Sequence, residues 1–412
     1  MDHVADPSTD PLAFGQRLQI LRTRRGLTRD QLGGLVGRSG SWVKGLETGR
    51  LKMPKVDTIL ALAEALRVRD LFDLTGDQAR HVDLFVGPGH PRLAAVKLAV
   101  DAWPVATARE AAPIAHIRAR LASAWAARHS APNHREVIGA LLPELIRDAQ
   151  VSVRQADTGP SRRAAQAVLA EVYSLSQFFV AYQPDAALLW RVAERGLVAA
   201  QESEDPYAIG VAAWLATQAH RDAAHYDAAD AVNLATLDYL QPLLEDATDD
   251  VLAITGALTF EAGYTAARRG ATGTAWRYWD AARAMAGQLP DGFYDPITSF
   301  SRAVMGAHAV TVAVELRQGG ESVRQATAAE ALTIPSRPRR ARHRIEEARG
   351  YQLAGQPEVA LATLDRAHEA APETIRYNGY AKRIVLEEAE SRSPARRRRA
   401  SALAVKIGLL AA

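Results

Sequence analysis

Apolar residues recur at spacings of three and four along almost the whole chain, while strand-like alternation of valine, isoleucine and threonine is nearly absent, so the sequence predicts an all-α fold. Near the N-terminus the pattern comes in short pieces. Phe14, Leu18 and Leu21 share one face of a helix that should begin near Leu12. Thr28 and Gln31 form a capping box, which starts a second helix at Arg29 and carries Leu32, Leu35 and Val36 before glycines end it. Ser39 is the N-cap of a third short helix, whose apolar positions Val43 and Leu46 leave Ser41, Trp42, Lys44 and Gly45 on the outer faces. Beyond Pro54 a fourth helix, from about Val56, buries Ile59, Leu62, Ala63 and Leu66, and Leu71, Phe72 and Leu74 form a short fifth.

Two short helices joined by a tight glycine-containing turn make a helix-turn-helix, whose second helix fits the major groove of DNA. The stretch GLTRDQLGGLVGRSGSWVKGLETGR, Gly26 to Arg50, resembles the phage-repressor-like helix-turn-helix family, also called the xenobiotic-response-element family. It matches at Gly26, Leu27, Thr28, Leu32, Gly37, Ser39, Val43, Leu46, Glu47 and Gly49. The resemblance covers residues 12–76 and implies a five-helix repressor-like DNA-binding domain there. It also implies roles. Arg22 and Glu47 would form a structural salt bridge tying the first helix to the recognition helix. Arg29 would contact a phosphate, the plain alternative being a solvated surface arginine. The DNA-facing set of the recognition helix opens at Ser39, with base edges meeting Gly40, Ser41, Lys44 and Gly45. Because two of these are glycine, Ser41 and Lys44 carry most of the direct readout, Lys44 favouring the O6 and N7 acceptors of guanine. Trp42 packs either on sugar or a thymine methyl, or at the domain's own edge. Thr48, Arg50, Lys52 and Lys55 would grip backbone phosphates. Gly33 stands where the family prefers a small residue, because the second and third helices approach closely there.

From about Arg92 the chain is a succession of amphipathic helices separated by Pro, Gly and Asp. The clearest unit runs from Arg339 to Pro372: a helix, a Gly355-Gln356-Pro357 turn, and a helix in which Ala360, Leu361, Leu364 and Ala367 repeat at three and four. It resembles a tetratricopeptide repeat, in which small residues let paired helices pack closely. Similar pairs are drawn as 160–203, 206–245, 250–288 and 293–332, with 373–410 as a terminal pair. Their lengths vary, so the repeats are degenerate. The organisation predicted is a disordered acidic tail (1–11), the helix-turn-helix domain (12–76), a linker rich in turn formers (77–92), and a tetratricopeptide-like α-solenoid (93–412) for effector binding and dimerisation.

Charge changes the picture once it is divided. Residues 12–76 carry 12 Lys or Arg against 6 Asp or Glu, residues 1–11 carry three aspartates, and the remainder carries 38 against 38. The excess of base therefore lies in the segment with the motif, as expected of a domain that meets a phosphate backbone. There is no cysteine, which excludes disulfides, thiolate metal sites and cysteine nucleophiles. No apolar run of signal-peptide or membrane-spanning length occurs, so a soluble, cytoplasmic protein without membrane contact is expected. His220 and His225, and His343 with Glu346, lack a metalloprotease context or a third ligand, so neither a metal, nor a cofactor, nor an enzyme activity is expected. The basic runs Arg337 to Arg344 and Arg396 to Arg399 are expected as solvated faces paired with Glu346, Glu347, Glu387 and Glu388, the alternative being contact with DNA or an acidic partner.

A repressor-like head on a tetratricopeptide-like body resembles the peptide-sensing regulators of Gram-positive bacteria and similar regulators of actinobacteria. That resemblance implies a homodimer on double-stranded DNA, modulated by a peptide, small-molecule effector or protein partner on the concave face of the body. Tyr264 and Arg268, Arg302 and His308, and Tyr377 and Asn378 are the effector-binding candidates, with inter-repeat packing as the alternative for each. A second class stays open: a helical-repeat adaptor or inhibitor with a weak or vestigial DNA-binding head, which the two glycines at reading positions favour.

Overall fold

The computed structural model describes residues 14–51, 53–66, 68, 74–75, 89–102, 109–329 and 334–409. Among them every regular element is helical, and the chain divides into two compact units, the head (Met1–Gly87) and the body (Pro88–Ala412). Among the described residues no helix is long and apolar enough to cross a membrane.

The head contains α1 (Phe14–Arg24), α2 (Arg29–Leu35), α3 (Gly40–Glu47) and α4 (Val56–Leu66). The capping box closes in both directions: Gln31 N donates to Thr28 Oγ1 at 3.1 Å, and Thr28 N donates to Gln31 Oε1 at 2.8 Å. Each of the first three helices is followed by a glycine in the left-handed region, Gly26 at φ +65°, Gly37 at +66° and Gly49 at +71°. A Cβ would resist that conformation, so these glycines set where the short helices stop. Leu18, Leu32, Val43 and Leu62 are fully buried together with Leu46, Ile59, Leu66 and Leu74. Each such side chain contributes about 1.5–3 kcal/mol by leaving water. Gly33 serves the close approach expected of it: a Cβ there would stand 2.7 Å from the Arg38 carbonyl oxygen. Leu12, Lys52, Leu71, Phe72, the tail 1–11 and residues 77–88 of the expected linker lie outside the described residues.

Gly89–Arg92, the end of the expected linker, packs within the body, where the buried His90 donates its main-chain N–H to Gln183 Oε1 at 2.7 Å. There follow α5 (Leu93–Asp101), α6 (Ile114–Ser130), α7 (His134–Gln155), α8 (Gly159–Val180), α9 (Ala186–Ser203), α10 (Pro206–Asp222), α11 (Tyr226–Leu240), α12 (Asp249–Arg268) and α13 (Thr272–Gln288). The chain continues with α14 (Val304–Glu315), α15 (Gly319–Ala328), α16 (Arg337–Leu353), α17 (Pro357–Ala370), α18 (Pro372–Tyr377), α19 (Gly379–Ala389) and α20 (Pro394–Lys406). One apolar core runs from Val96 to Ile334, and a smaller one joins α16 to the C-terminal helices through Ile345, Leu364, Ile384 and Leu403.

The turns within α10–α11, α12–α13, α14–α15 and α16–α17 share one backbone design. Three residues intervene, and the middle one has positive φ: Ala224 +60°, Gly270 +81°, Arg317 +58° and Gly355 +74°. The next N–H then reaches back five residues, from His225 to His220, Ala271 to Ala266, Gln318 to Ala313 and Gln356 to Tyr351, at 2.8–2.9 Å. This is a Schellman-type helix end. The repeats are therefore regular in backbone where they are degenerate in side chain.

One expected pair differs. The segment 293–332 does not begin with a helix; residues 293–303 form a loop folded around the buried Asp295, and α14 starts only at Val304. Asp295 Oδ1 accepts from Ile297 N (2.9 Å), Thr298 N (2.6 Å) and Thr298 Oγ1 (2.8 Å), and Oδ2 accepts from the Tyr207 hydroxyl at 2.6 Å. A carboxylate that binds its own downstream main chain competes with helix formation, and here it wins.

The path of the body returns on itself. Helix α16 packs against α6, Arg337 Nη1 donates to the Ser130 carbonyl at 3.3 Å, and Arg135 N donates to Glu373 Oε2 at 2.6 Å. Side chains of α6, α8, α10, α12, α14 and α16 meet one another across the enclosed side. Arg128 lies over Phe178, Phe178 over Trp214, Phe260 against His308, and Glu315 between Arg268 and Arg349.

Candidate nucleic-acid interface

Helix α3 is held from behind and open in front. Val43 and Leu46 are buried, and the Ser39 hydroxyl caps the helix by accepting from Trp42 N at 3.2 Å. At its C-terminal end the Glu47 carboxylate, 1% exposed, is clamped by two arginines. Arg22 donates from Nε at 2.5 Å and from Nη2 at 3.2 Å, and Arg29 donates from Nε at 2.7 Å. Arg22 Nη1 also reaches the Leu27 carbonyl at 2.8 Å, so one side chain joins α1, the start of the α2 segment and α3. Burial pushes the Glu47 carboxyl up, but the hydrogen bonds and charges of Arg22 and Arg29 outweigh it and hold the group below the ordinary glutamate value.

The Arg22–Glu47 bridge of the sequence reading is thus present in the geometry, with Arg29 as a third member. Arg29, expected toward phosphate, has its Nε engaged by Glu47 while 38% of its side chain stays exposed. Ser41, Lys44, Thr48, Arg50 and Lys55 all face solvent. The Ser39 and Ser41 hydroxyls lie 2.8 Å apart, and the Thr48 hydroxyl donates to the Lys44 carbonyl at 2.8 Å. Gly40 and Gly45, placed by resemblance at reading positions, are buried. A Cβ at Gly40 would collide with the Asp30 carboxylate, and one at Gly45 would come within 2.9 Å of Leu51, so these glycines serve packing inside the head. Trp42 is half-buried, with the Arg38 guanidinium 5.7 Å from its ring centre. Arg38 is exposed directly before the helix N-cap, and sequence reasoning passed over it although a base at that position was visible.

In the body the candidate effector residues separate. Tyr264 and Arg268 converge on Glu315, at 3.5 and 3.2 Å, and Arg268 also donates to the Tyr380 hydroxyl at 2.9 Å. His308 lies 3.5 Å from the Phe260 ring centre and 3.5 Å from Arg339 Nη2, and burial with the Arg339 and His343 charges keeps it neutral, well below the ordinary histidine range. Arg302 is elsewhere, holding the end of α13 and the turn after it through Asp291 and the carbonyls of Ala286, Gly287 and Leu289. Tyr377 lies beside His90 and Arg135. Asn378 caps α19, accepting from Tyr380 N and Ala381 N at 3.0 and 3.1 Å. His220 and His225 both pack on Trp190 and lie 6.1 Å from each other, and His343 pairs with Glu347 at 3.0 Å. Arg342 and Arg344 pair with Glu346 and Glu347 at 2.7 Å, and Arg396 pairs with Glu388 at 3.3 Å.

Residues 13–72 match a family model described as a helix-turn-helix domain. The HTH-type transcriptional repressor RghR of Bacillus subtilis (strain 168) is 41% identical over 56 residues, which are 14% of this chain and 42% of the repressor. The chain thus spans less than half the length of that relative. Among solved structures, Bacillus thuringiensis PlcR in complex with the peptide PapR7 and DNA covers 85% of this chain and 99% of its own, at 11% identity and a TM-score of 0.31. A mutant of PrgX covers 94% and 99%, at 6% identity and a TM-score of 0.30. The clamped helix, the capped turns and the family match agree on a helix-turn-helix domain within residues 13–72, carried in one chain with a body whose described elements are all helical and pack in pairs.

Proposed function

We propose that this chain is a dimeric, sequence-specific DNA-binding transcriptional regulator whose helical body holds a peptide or small-molecule effector. The observation that carries the reading is the exposed pair Ser41 and Lys44 on α3, a helix fixed from behind by Val43, Leu46 and the Glu47 clamp. Lys44 offers a donor to guanine edges, while Arg38, Thr48, Arg50 and Lys55, exposed before and after it along the chain, offer donors for phosphate oxygens. The likeness of the head to part of a repressor supports the same reading. One head meets one half-site, so a dimer reads two half-sites about 34 Å apart. Effector binding acts by shifting the populations of body conformations that space the heads differently.

Selection of preferred duplexes from a random pool with the full chain tests the proposal. Enriched duplexes carrying two half-sites a fixed distance apart are expected. Equal, weak retention of every duplex at moderate salt would remove specific recognition and leave the adaptor reading. That reading draws on Gly40 and Gly45 being packed inward, which leaves two side chains for base contact.

A further inference from the structure

Arg128 on α6 and Arg339 on α16 approach from opposite ends of the body and share one neighbour, Tyr294, whose hydroxyl donates to Ser299 Oγ at 2.7 Å. Arg128 lies 4.0 Å from the Phe178 ring centre, and its hydrogen bonding is confined to a long 3.4 Å contact with His129 Nδ1. Arg339 has a 3.5 Å contact with His308, and its buried Nε has no partner among the described residues. Arg135, at the start of α7, places its guanidinium on the Phe179 carbonyl and leaves its buried Nε without a partner.

These arginines differ from their neighbours. Arg221 is paired with Glu261, Arg342 with Glu346, and Arg349 with both Glu315 and Glu346, so the carboxylates of this wall are already engaged. The charges of Glu261 and Glu346 act on Arg339 from beyond ion-pair distance, and Glu373, whose charge acts on Arg135, accepts from that residue's main-chain N–H. Among the described residues no carboxylate lies within ion-pair distance of the Arg128, Arg135 or Arg339 guanidinium. Burial, opposed by Tyr294 and reinforced by Arg135 and Arg339, brings Arg128 down to about 10, so it stays charged at neutral pH. The histidines cannot offset this: burial and the Arg128 charge bring His129 down to about 4, and His308 is neutral. Half-buried or buried cations whose planar donor forks are largely unpaired are unfavourable alone and well suited to a carboxylate, which a guanidinium can bind bidentately.

We propose that Arg128 and Arg339, with Arg135 beside them, form an anion site on the inner wall of the body that takes the carboxylate of a ligand whose apolar part lies against Phe178 and Trp214. The inference deepens the effector reading of the body and rests on it for its regulatory meaning only. The carboxylate comes either from a small organic acid or from the free C-terminus of a peptide, and the two sources are separable.

The test uses the full chain and reads its melting temperature in sodium benzoate against sodium chloride at equal ionic strength. A saturable rise of about 5 °C is expected for the wild type. The double variant Arg128→Met, Arg339→Met should show no benzoate-specific rise while melting in chloride no lower than the wild type. Arg128→Lys keeps the charge without the fork and should weaken benzoate about tenfold. No rise in the wild type, or an equal rise in the double variant, overturns the proposal. In a second arm, short peptides ending in phenylalanine are compared as free acid and C-terminal amide. Tighter binding of the free-acid peptide than of benzoate assigns the carboxylate to a peptide; benzoate alone assigns it to a small acid; equal binding of the amide overturns the site. DNA affinity is measured separately. Carboxylate binding that leaves DNA affinity unchanged keeps the site and removes the effector reading, whereas effector control of DNA binding without a carboxylate response does the reverse.

Discussion

In the head, Arg38, Lys44, Arg50 and Lys55 stand exposed beside a helix whose glutamate is clamped; in the body, Arg135 is buried and Arg128 and Arg339 are half-buried, none with a carboxylate within ion-pair distance among the described residues. By count the contrast runs the other way, since the base excess belongs to residues 12–76 and residues 77–412 are balanced at 38 against 38. Balance along the chain is not balance in space. Exposed cations meet a polyanion that keeps most of its own hydration, and their effect is screened by salt. Enclosed cations suit a group small enough to be surrounded, and screening reaches them weakly.

The largest expected effect tests whether the inner wall depends on its paired charges. Arg221 and Glu261 are each about 5% exposed and bonded to one another. Arg221→Met strands a buried carboxylate and should destabilise the body by about 4 kcal/mol in denaturant melts, whereas Arg221→Met with Glu261→Leu should be nearly neutral. Equal losses in the single and double variants would mean that packing, and not charge, holds this wall.

In the head, Glu47→Ala leaves Arg22 and Arg29 facing each other and should lower local stability by about 3 kcal/mol, read as faster amide exchange across α3 in the full chain. The same clamp fixes a pH dependence. The Glu47 carboxyl titrates lower folded than unfolded, so its contribution is present above about pH 4.5 and is lost as acid takes it down through the folded value. Protection of α3 should therefore fall on acidification in the wild type and change less in Glu47→Gln.

Two smaller effects separate reading from gripping. Lys44→Ala should narrow the gap between selected and random duplexes by about 2 kcal/mol. Arg50→Ala should weaken all duplexes alike and lower the salt slope by about one. If Lys44→Ala acts uniformly as well, direct readout at that position is absent. The smallest effect concerns the repeated turns: Ala224→Gly relieves a left-handed alanine and should stabilise the body by about 0.5–1 kcal/mol, in line with Gly270 and Gly355 at the equivalent places.

What the sequence made visible was local. The Thr28–Gln31 box, the Ser39 cap and the periodic faces of α1, α3 and α4 each depend on residues within a few positions and appear in the structure, whereas in α2 Leu32 is buried and Leu35 faces solvent. So does the Arg339–Pro372 unit, because its turn carries a glycine at the residue with positive φ. Ala224 and Arg317 adopt the same conformation without that marker, which is why the neighbouring repeats were indistinct. Contacts made at a distance left no trace in the pattern. Gly40 against Asp30 and Arg29 against Glu47 depend on how α2 meets α3, and the Arg128–Arg339 neighbourhood depends on the chain coming round over 200 positions later. The pair expected over 293–332 lacks its first helix for a related reason: the burial of Asp295, with the Tyr207 hydroxyl on one oxygen, holds residues 293–303 as a loop.

The meeting of Arg135 with Glu373, and of Arg337 with Ser130, has an architectural consequence. An open stack of helix pairs tolerates one more or one fewer unit, since each contacts only its neighbours. Here an inserted or deleted pair would carry Glu373 past Arg135, so the length of the array is fixed by its own seam. Its ends should melt together with its middle instead of fraying first.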